Sequence, residues 1–396
     1  MLVSYVAAQY GRMYWEQRRW ISREYPSGTC SSLAPVYNVP VKTWDVIIIG
    51  GGIIGVSLAL ELRRHGAKVL VVDRTEPGRE ASSAAAGMLA DLDPENPPAL
   101  RDLAVASAKL YPEFVHEVED ESGVHVDLRS QGTLSLADGG SSAVTRPQQL
   151  SPEQIARLEP ALAGCVSAAF LAERSVDPAA LMAAALKAAK HRGVEVAFGD
   201  PVRHLLLNGG QVTGARTERT SFSAPVVVNC AGAWAGEIGP QSLPARPVKG
   251  QMLALVAERG LLQHVIRSRQ IYLVPRSDGR VIAGATVEDK GFDKRVEPEV
   301  IQALHQAAAM LVPQLGEAKI HSSWAGLRPG TPDELPMLGR GAFDGYFVAS
   351  GHYRNGILLA PVTATLMTQL IRGQQPELDL AAFSPQRFTG ARPTKA

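Results

Sequence analysis

The chain has only three cysteines, Cys30, Cys165 and Cys230, far apart and with no C-x-x-C pair among them. That excludes a disulfide framework and a cysteine zinc site, and it suits reduced thiols in a reducing, cytoplasmic compartment. Nine histidines fall into no H-x-H or H-E-x-x-H spacing, so no metal is expected. A charge excess is also missing. The net charge is +1 and no Lys/Arg-rich block occurs, which removes the electrostatic footprint of a nucleic-acid binder. No apolar run is long enough to span a bilayer; the longest, around VIIIGGGIIGVSLAL, is interrupted by glycines. What remains is ordinary globular usage, 45% apolar and 20% charged, in 396 residues that can hold two domains with ample core.

Residues 1–42 read differently from the rest. They carry Tyr5, Tyr10, Tyr14, Trp15, Trp20, Tyr25 and Tyr37 and a charge of +3, five Lys/Arg against two Asp/Glu. The ordered basic start, apolar run and cleavage site of a secretory signal are not there. A poorly ordered extension, or a start codon placed too early, is the plainest reading. An aromatic, basic arm for a membrane surface or a partner is the other.

From Thr43 the pattern becomes that of a fold. WDVIIIG is a short apolar run ending in glycine, as a buried parallel strand should. GGGIIG follows (Gly50–Gly55), then the helical VSLALELRRHG, then AKVLVVD, a second buried strand ending at Asp73. The acid lies eighteen residues beyond the last glycine, which completes the strand, G-x-G-x-x-G, helix, strand, acid order of a dinucleotide site. Each part has a physical reason. Gly50 permits the tight turn, Gly52 lets the backbone approach a pyrophosphate, and Gly55 lets helix and strand pack closely. The helix N-terminus offers N–H groups and the positive end of its dipole to phosphates. Asp73 would accept from an adenosine ribose and repel a 2′-phosphate, which disfavours NADP.

NAD and FAD are separated by what comes next. A nicotinamide enzyme would usually enter another strand–helix–strand crossover here. Instead EASSAAAGMLA (Glu80–Ala90) is a small-residue segment suited to run along the ribityl chain and diphosphate of an extended FAD. Later pieces return to the same scheme. A helix from Pro178, capped by Asp177, leads into two strands around Val202. APVVVNCAGAWAG and YFVASGHYRNGILLAP are further strand–small loop–helix units. Between them, GTLSLA, SAAFL, and the stretch from ARPVKGQMLALV to SSWAGLRPG read as antiparallel strands, with one helix at Pro298–Leu311.

The expected fold is therefore α/β plus α+β: a Rossmann-like FAD-binding domain with an inserted antiparallel-sheet substrate domain. The expected division is 43–97, 172–243 and 324–388 for the first, 98–171 and 244–323 for the second, and a tail at 389–396.

VIIIGGGIIG, SSAAAGML, NCAGAWAG, YLVPR, GATVED-GFD, WAGLRPGTPDELPMLG and GHYRNGILLAP occur in that order, from about Trp44 to Phe388. In these motifs the chain resembles the D-amino-acid oxidase family of flavoenzymes, and within it the glycine oxidase of thiamine biosynthesis. The resemblance implies roles for individual residues. Gly50, Gly52, Ile53, Ile54 and Gly55 would meet the diphosphate, and Asp73 and Arg74 the adenosine ribose. Ala81, Ser82, Ala86, Gly87 and Met88 would line the diphosphate, ribityl chain and ring, and Val202 the adenine. His352, Tyr353, Arg354, Asn355, Gly356, Ile357 and Leu358 would wrap the isoalloxazine ring. Arg328 would pair with the substrate carboxylate, helped by Tyr272, with Arg354 a further arginine at the site. No side chain is assigned as an acid or base.

The implied reaction is oxidation of glycine, sarcosine or a small D-amino acid, with oxygen as acceptor, to a 2-oxo acid, ammonia and hydrogen peroxide. The imine from glycine would feed the thiazole of thiamine, giving a functional link to thiazole synthase. The resemblance also implies a homo-oligomer, often a tetramer among relatives. FAD would be held non-covalently, because the sarcosine oxidase branch tethers it through a cysteine in the substrate-site region and none occurs after Cys230. The first alternative is a dehydrogenase of the same fold that passes electrons to a quinone; the flavin half of a tRNA-modifying enzyme, disfavoured by the lack of a basic patch, and a non-catalytic flavin-binding module are the others.

Overall fold

The computed structural model describes residues 43–136, 148–162, 164 and 167–388. The expectations for 1–42, for Cys30 and Cys165, and for the tail at 389–396 lie outside the described residues.

Two large sheets organise the described chain. The first has six strands in the order Met337–Arg340, Tyr346–Ser350, Val226–Asn229, Val46–Ile49, Val69–Asp73, Glu195–Phe198. All neighbours are parallel except the edge pair Met337–Arg340 and Tyr346–Ser350. Its four central strands are apolar without alternation because both faces are covered. Ile48, Val69, Val71, Val228 and Phe347 point into a core shared with helices Ile53–Arg64, Pro178–His191 and Gly356–Ile371. Ile47, Ile49, Leu70, Val72 and Val227 point the other way, onto Val202, Leu205, Val212 and Ala215 of a small antiparallel sheet. Successive strand residues thus serve opposite cores. Helix Pro178–His191 begins as its sequence signals, with the Asp177 carboxylate accepting from the Ala179 and Ala180 N–H groups.

The second sheet has eight strands in the order Lys319–Gly330, Arg246–Val256, Arg280–Gly284, Tyr272–Pro275, Val265–Arg267, Thr133–Ser135, Ala168–Leu171, Gln148–Leu150. It is antiparallel apart from the pairing of Val265–Arg267 with Thr133–Ser135. Helix Pro298–Leu311 covers one face through Ile301, Leu304 and Ala308. The opposite face presents Met252, Ala254, Val274 and Ile282, packed with Ala86 of the small-residue segment.

Two placements differ from the sequence division. Helix Arg101–Ser122 lies within the stretch assigned to the substrate layer, yet its buried face of Leu103, Ala104, Ala108, Tyr111, Val115 and Val118 joins the core of the six-stranded sheet. Its buried residues recur at helical spacing, and that face decides which sheet the helix serves. Strand Lys319–Gly330 pairs along its length with Arg246–Val256, so the boundary expected at 324 falls inside a strand of the eight-stranded sheet. The pairing register overrides a boundary drawn at a motif.

Candidate active site

Strand Val46–Ile49 delivers the chain into the glycine turn. Gly50 has φ +110°, and a Cβ there would overlap the Cys230 carbonyl, so only glycine fits. A Cβ at Gly55 would overlap the Gly50 carbonyl oxygen, so that glycine serves helix–turn packing. Gly52 is the N-cap of helix Ile53–Arg64 and brings no capping side chain; the Ile53 N–H donates to Ser82 Oγ at 2.9 Å. Asp73 braces the turn from the next strand. Its Oδ2 accepts from the Gly51 N–H at 2.6 Å and its Oδ1 from the Thr75 N–H at 2.8 Å.

A second helix start faces the same space. Gly351 and Tyr353 take positive φ, +77° and +48°, and turn the chain into helix Gly356–Ile371. Its N-cap Asn355 makes no side-chain cap; the Asn355 amide donates to Asn96 Oδ1 at 3.0 Å instead. His352 is buried against Thr363 Oγ1 at 3.1 Å, and burial pushes its pKa down to about 3, so it is neutral. Pro361 sits inside this helix and has no N–H for the Ile357 carbonyl. Helix Arg101–Ser122 supplies the missing donors. Tyr111 Oη donates to the Ile357 carbonyl at 2.7 Å, and Ser107 Oγ to the Leu358 carbonyl at 2.6 Å. The helix end aimed at the cavity is thereby held by a helix from the stretch that the sequence division gave to the substrate domain.

The third wall comes from the eight-stranded sheet. Arg328 lies on strand Lys319–Gly330, and its Nη1 donates to the Thr286 carbonyl at 3.1 Å and the Lys249 carbonyl at 3.5 Å. Its guanidinium lies over Gly250, where a Cβ would overlap both Nη1 and Nη2. Tyr272 stands nearby; burial pushes its hydroxyl pKa up, against the opposing pull of the Arg328 charge, so the phenol keeps its proton. The small-residue segment is pinned from this side, by Arg276 Nη2 to the Ala86 carbonyl at 2.6 Å and Trp324 Nε1 to the Ala84 carbonyl at 3.0 Å.

These walls enclose a cavity of about 850 Å³, near the upper end of the ~300–1,000 Å³ usual for small-molecule sites. Its lining includes Gly50, Gly52, Ile53, Ile54, Asp73, Arg74, Ala81, Ser82, Ala86, Gly87, Met88 and Val202, together with Tyr272, Arg328 and the run from His352 to Ile357. Two expected residues stand apart from it. Gly55 is used in packing, and Leu358 is buried in the helix core. Arg354 is at the rim, ion-paired with Glu95 at 3.0 Å and half exposed, so it ties down the segment around Glu95. Cys230 also lines the cavity; burial pushes its thiol pKa up, which keeps it protonated and unreactive. Sequence reasoning missed Trp234, Gly250, Met252 and Arg267, which line the cavity too. A lone glycine within a strand signals close approach of another group, and Gly250 was such a signal.

The arrangement fits an extended dinucleotide. Two helix N-termini that lack a cap from their own N-cap side chains open into one cavity, the first beside a glycine turn and an acid, the second beside a small-residue wall. Among the described residues no group of three or more His, Cys, Asp or Glu is placed to hold a metal ion, and no helix is long and apolar enough to cross a membrane.

Comparison with known proteins agrees with this geometry. Residues 45–370 match the family described as FAD dependent oxidoreductase. The chain is 42% identical over 359 residues to a bifunctional protein ThiO/ThiG of Synechocystis sp., covering 87% of this chain and 54% of that protein. It thus spans about half the length of the bifunctional relatives it matches. It is 34% identical over 356 residues to a glycine oxidase of Pseudomonas aeruginosa, covering 86% of this chain and 98% of that one. The crystal structure of glycine oxidase from Geobacillus kaustophilus superposes with a TM-score of 0.82 at 34% identity, over 87% of this chain and 99% of that one. The fold is that of these flavoenzymes, and the chain belongs to the FAD dependent oxidoreductase family, with FAD as its cofactor.

Proposed function

We propose that the chain is a glycine oxidase: it oxidises glycine, and with it sarcosine or small D-amino acids, with oxygen as acceptor. The observation that carries the reading is Arg328, laid flat over Gly250 with Nη1 held by two carbonyls, beside Tyr272 in a cavity of cofactor size. Nη2 and Nε remain for a carboxylate, and a planar fork suits one. Tyr272, protonated, adds a hydroxyl donor. Held this way, a small amino acid would be fixed with its Cα toward the ring.

FAD would lie with its diphosphate at the Gly50–Gly55 turn, its ribose at Asp73 and its ring against the start of helix Gly356–Ile371. When bound it supplies a two-electron acceptor. The helix N-terminus favours the negative charge that reduction brings. No side chain is needed as a base if the amine binds deprotonated. For glycine the balance is glycine, oxygen and water to glyoxylate, ammonia and hydrogen peroxide. The names of the bifunctional relatives support a place in thiamine biosynthesis, where the imine would be passed on to thiazole formation. With no cysteine after Cys230, and a protonated thiol there, FAD is held non-covalently.

A substrate panel tests the reading. Glycine, sarcosine and D-alanine are supplied to the FAD-loaded chain while peroxide and a dye acceptor are followed separately. Peroxide matching the imine-derived product supports an oxidase. Dye reduction without peroxide would instead favour a dehydrogenase with a quinone acceptor.

A further inference from the structure

Beyond the Thr286 carbonyl that receives Arg328, the motif GATVED-GFD has no task in the reading above, although it occupies residues 284–293 at the edge of the cavity. Most of it belongs to a loop, residues 286–297, with no helix or strand of its own. Both ends of that loop are tied to the same two buried residues of strand Arg246–Val256. Lys249, whose side chain is fully buried, exchanges two backbone hydrogen bonds with Glu288, and its Nζ pairs with Glu297 at 3.0 Å and Glu288 at 3.6 Å. Gln251 takes Thr286 Oγ1 at its own N–H and accepts the Glu297 N–H at 2.7 Å. A compact surface loop with its ends pinned together is the form of an Ω-loop.

The exposed tip reaches across to the dinucleotide side. Phe292 stacks on Trp234, with ring centroids 5.2 Å apart and planes 24° apart. Trp234 lines the cavity and carries the Arg74 guanidinium 4.2 Å from its ring centre. Lys294 Nζ pairs with Glu80 at 2.9 Å, where the small-residue segment begins. Base and tip are therefore unequal. The base is a network of backbone and charge-assisted bonds around the buried Lys249 and Gln251, whereas the tip is one ring stack and one exposed ion pair.

We propose that residues 286–297 form a clasp over the cofactor cleft, with Phe292 and Lys294 as its latch and Lys249 and Gln251 as its fixed hinge plate. With the latch closed, Trp234, Arg74 and Glu80 are held in place along the cleft. With it released, the base stays anchored and keeps the Thr286 carbonyl under Arg328. The latch thus acts on passage of FAD and leaves the arginine site intact. The inference rests on FAD occupying this cavity.

The test measures FAD association and dissociation rates, from the change in flavin fluorescence on uptake and release, for wild type, Phe292→Ala, Lys294→Ala and the double variant. A latch closed in both free and loaded protein predicts that both rates rise together. The expected change is about fivefold for Phe292→Ala and about twofold for Lys294→Ala. Phe292→Tyr keeps the stack and should keep wild-type rates. Loss of a simple contact would raise dissociation alone, which would overturn the clasp. So would unchanged rates in the double variant of a chain whose wild type takes up FAD. A wild type that takes up no FAD would overturn the cofactor placement and the clasp together.

Discussion

The glycine turn at Gly50–Gly55 and the arginine site at Arg328 open into the same cavity, yet they are made from different materials. At the turn the backbone supplies the N–H groups and carbonyls, so residues matter mainly for the side chains they lack. At Arg328 a side chain from one strand lies across a glycine of the next, and its Nη1 is held by carbonyls from two different segments. The first construction is compact and stiff: one strand–turn–helix unit, braced by Asp73 and Ser82 and closed by the Cys230 carbonyl against Gly50. The second exists only after two long antiparallel strands have found their register, with Val248 opposite Arg328. A local site fails as a fold. A site assembled at a distance can fail in function alone.

The largest effect should come from Gly50→Ala. The new methyl would meet the Cys230 carbonyl in a backbone conformation that L-residues rarely adopt. We expect a loss of about 3 kcal/mol or more of stability together with loss of FAD, since strain and overlap add. Thermal unfolding and the visible flavin absorbance report both. A stable, yellow Gly50→Ala protein would mean the turn is softer than its geometry states, and the contrast with Arg328 would disappear.

Arg328→Leu sharpens the other side. Removing a charge-assisted bidentate pair should raise KM for glycine by roughly 30- to 1000-fold, or about 2–4 kcal/mol, with FAD content unchanged. Near-normal kinetics would place the carboxylate elsewhere. Gly250→Ala is subtler because it leaves the arginine present but moves its guanidinium. We expect KM for glycine to rise by about 30-fold, since a displaced fork loses most of the pair. FAD affinity and unfolding temperature should change little. Equal damage to FAD binding would show that the sheet, and not the fork, had moved.

That contrast also explains what could be read from the sequence. Gly50, Gly52, Gly55 and Asp73 announce themselves because they fall at fixed spacing in one stretch of chain, even though the carbonyl that forbids a side chain at Gly50 comes from Cys230. The same holds for helix Pro178–His191, with Asp177 and Pro178 at its start. Arg328 and Tyr272 were reached through resemblance, since nothing in their local residues distinguishes a ligand arginine from a surface one. Gly250 was passed over because its reason, the Arg328 guanidinium, belongs to another strand. Helix Arg101–Ser122 shows the same limit. Tyr111 and Ser107 acquire a purpose only once Pro361 leaves the Ile357 carbonyl without a helical donor.

The smallest expected effect tests whether the local site is as self-sufficient as the contrast claims. Both carboxylate oxygens of Asp73 already accept from its own fold, Oδ2 from Gly51 and Oδ1 from Thr75. A carboxylate has about four lone-pair positions, so acceptor capacity remains for a ribose hydroxyl. Asp73→Asn keeps size and shape but turns one oxygen into a donor, which must then face either an N–H of the turn or the ribose. FAD should loosen by about tenfold, the scale of one charge-assisted hydrogen bond. The ring would be gripped at the far end of the cavity, by the run from His352 to Ile357. Activity should therefore fall on dilution and return with added FAD, while kcat at saturating FAD stays near wild type. If kcat falls and excess FAD does not restore it, Asp73 supports the reacting end through the turn, and the two ends of the cavity are coupled after all.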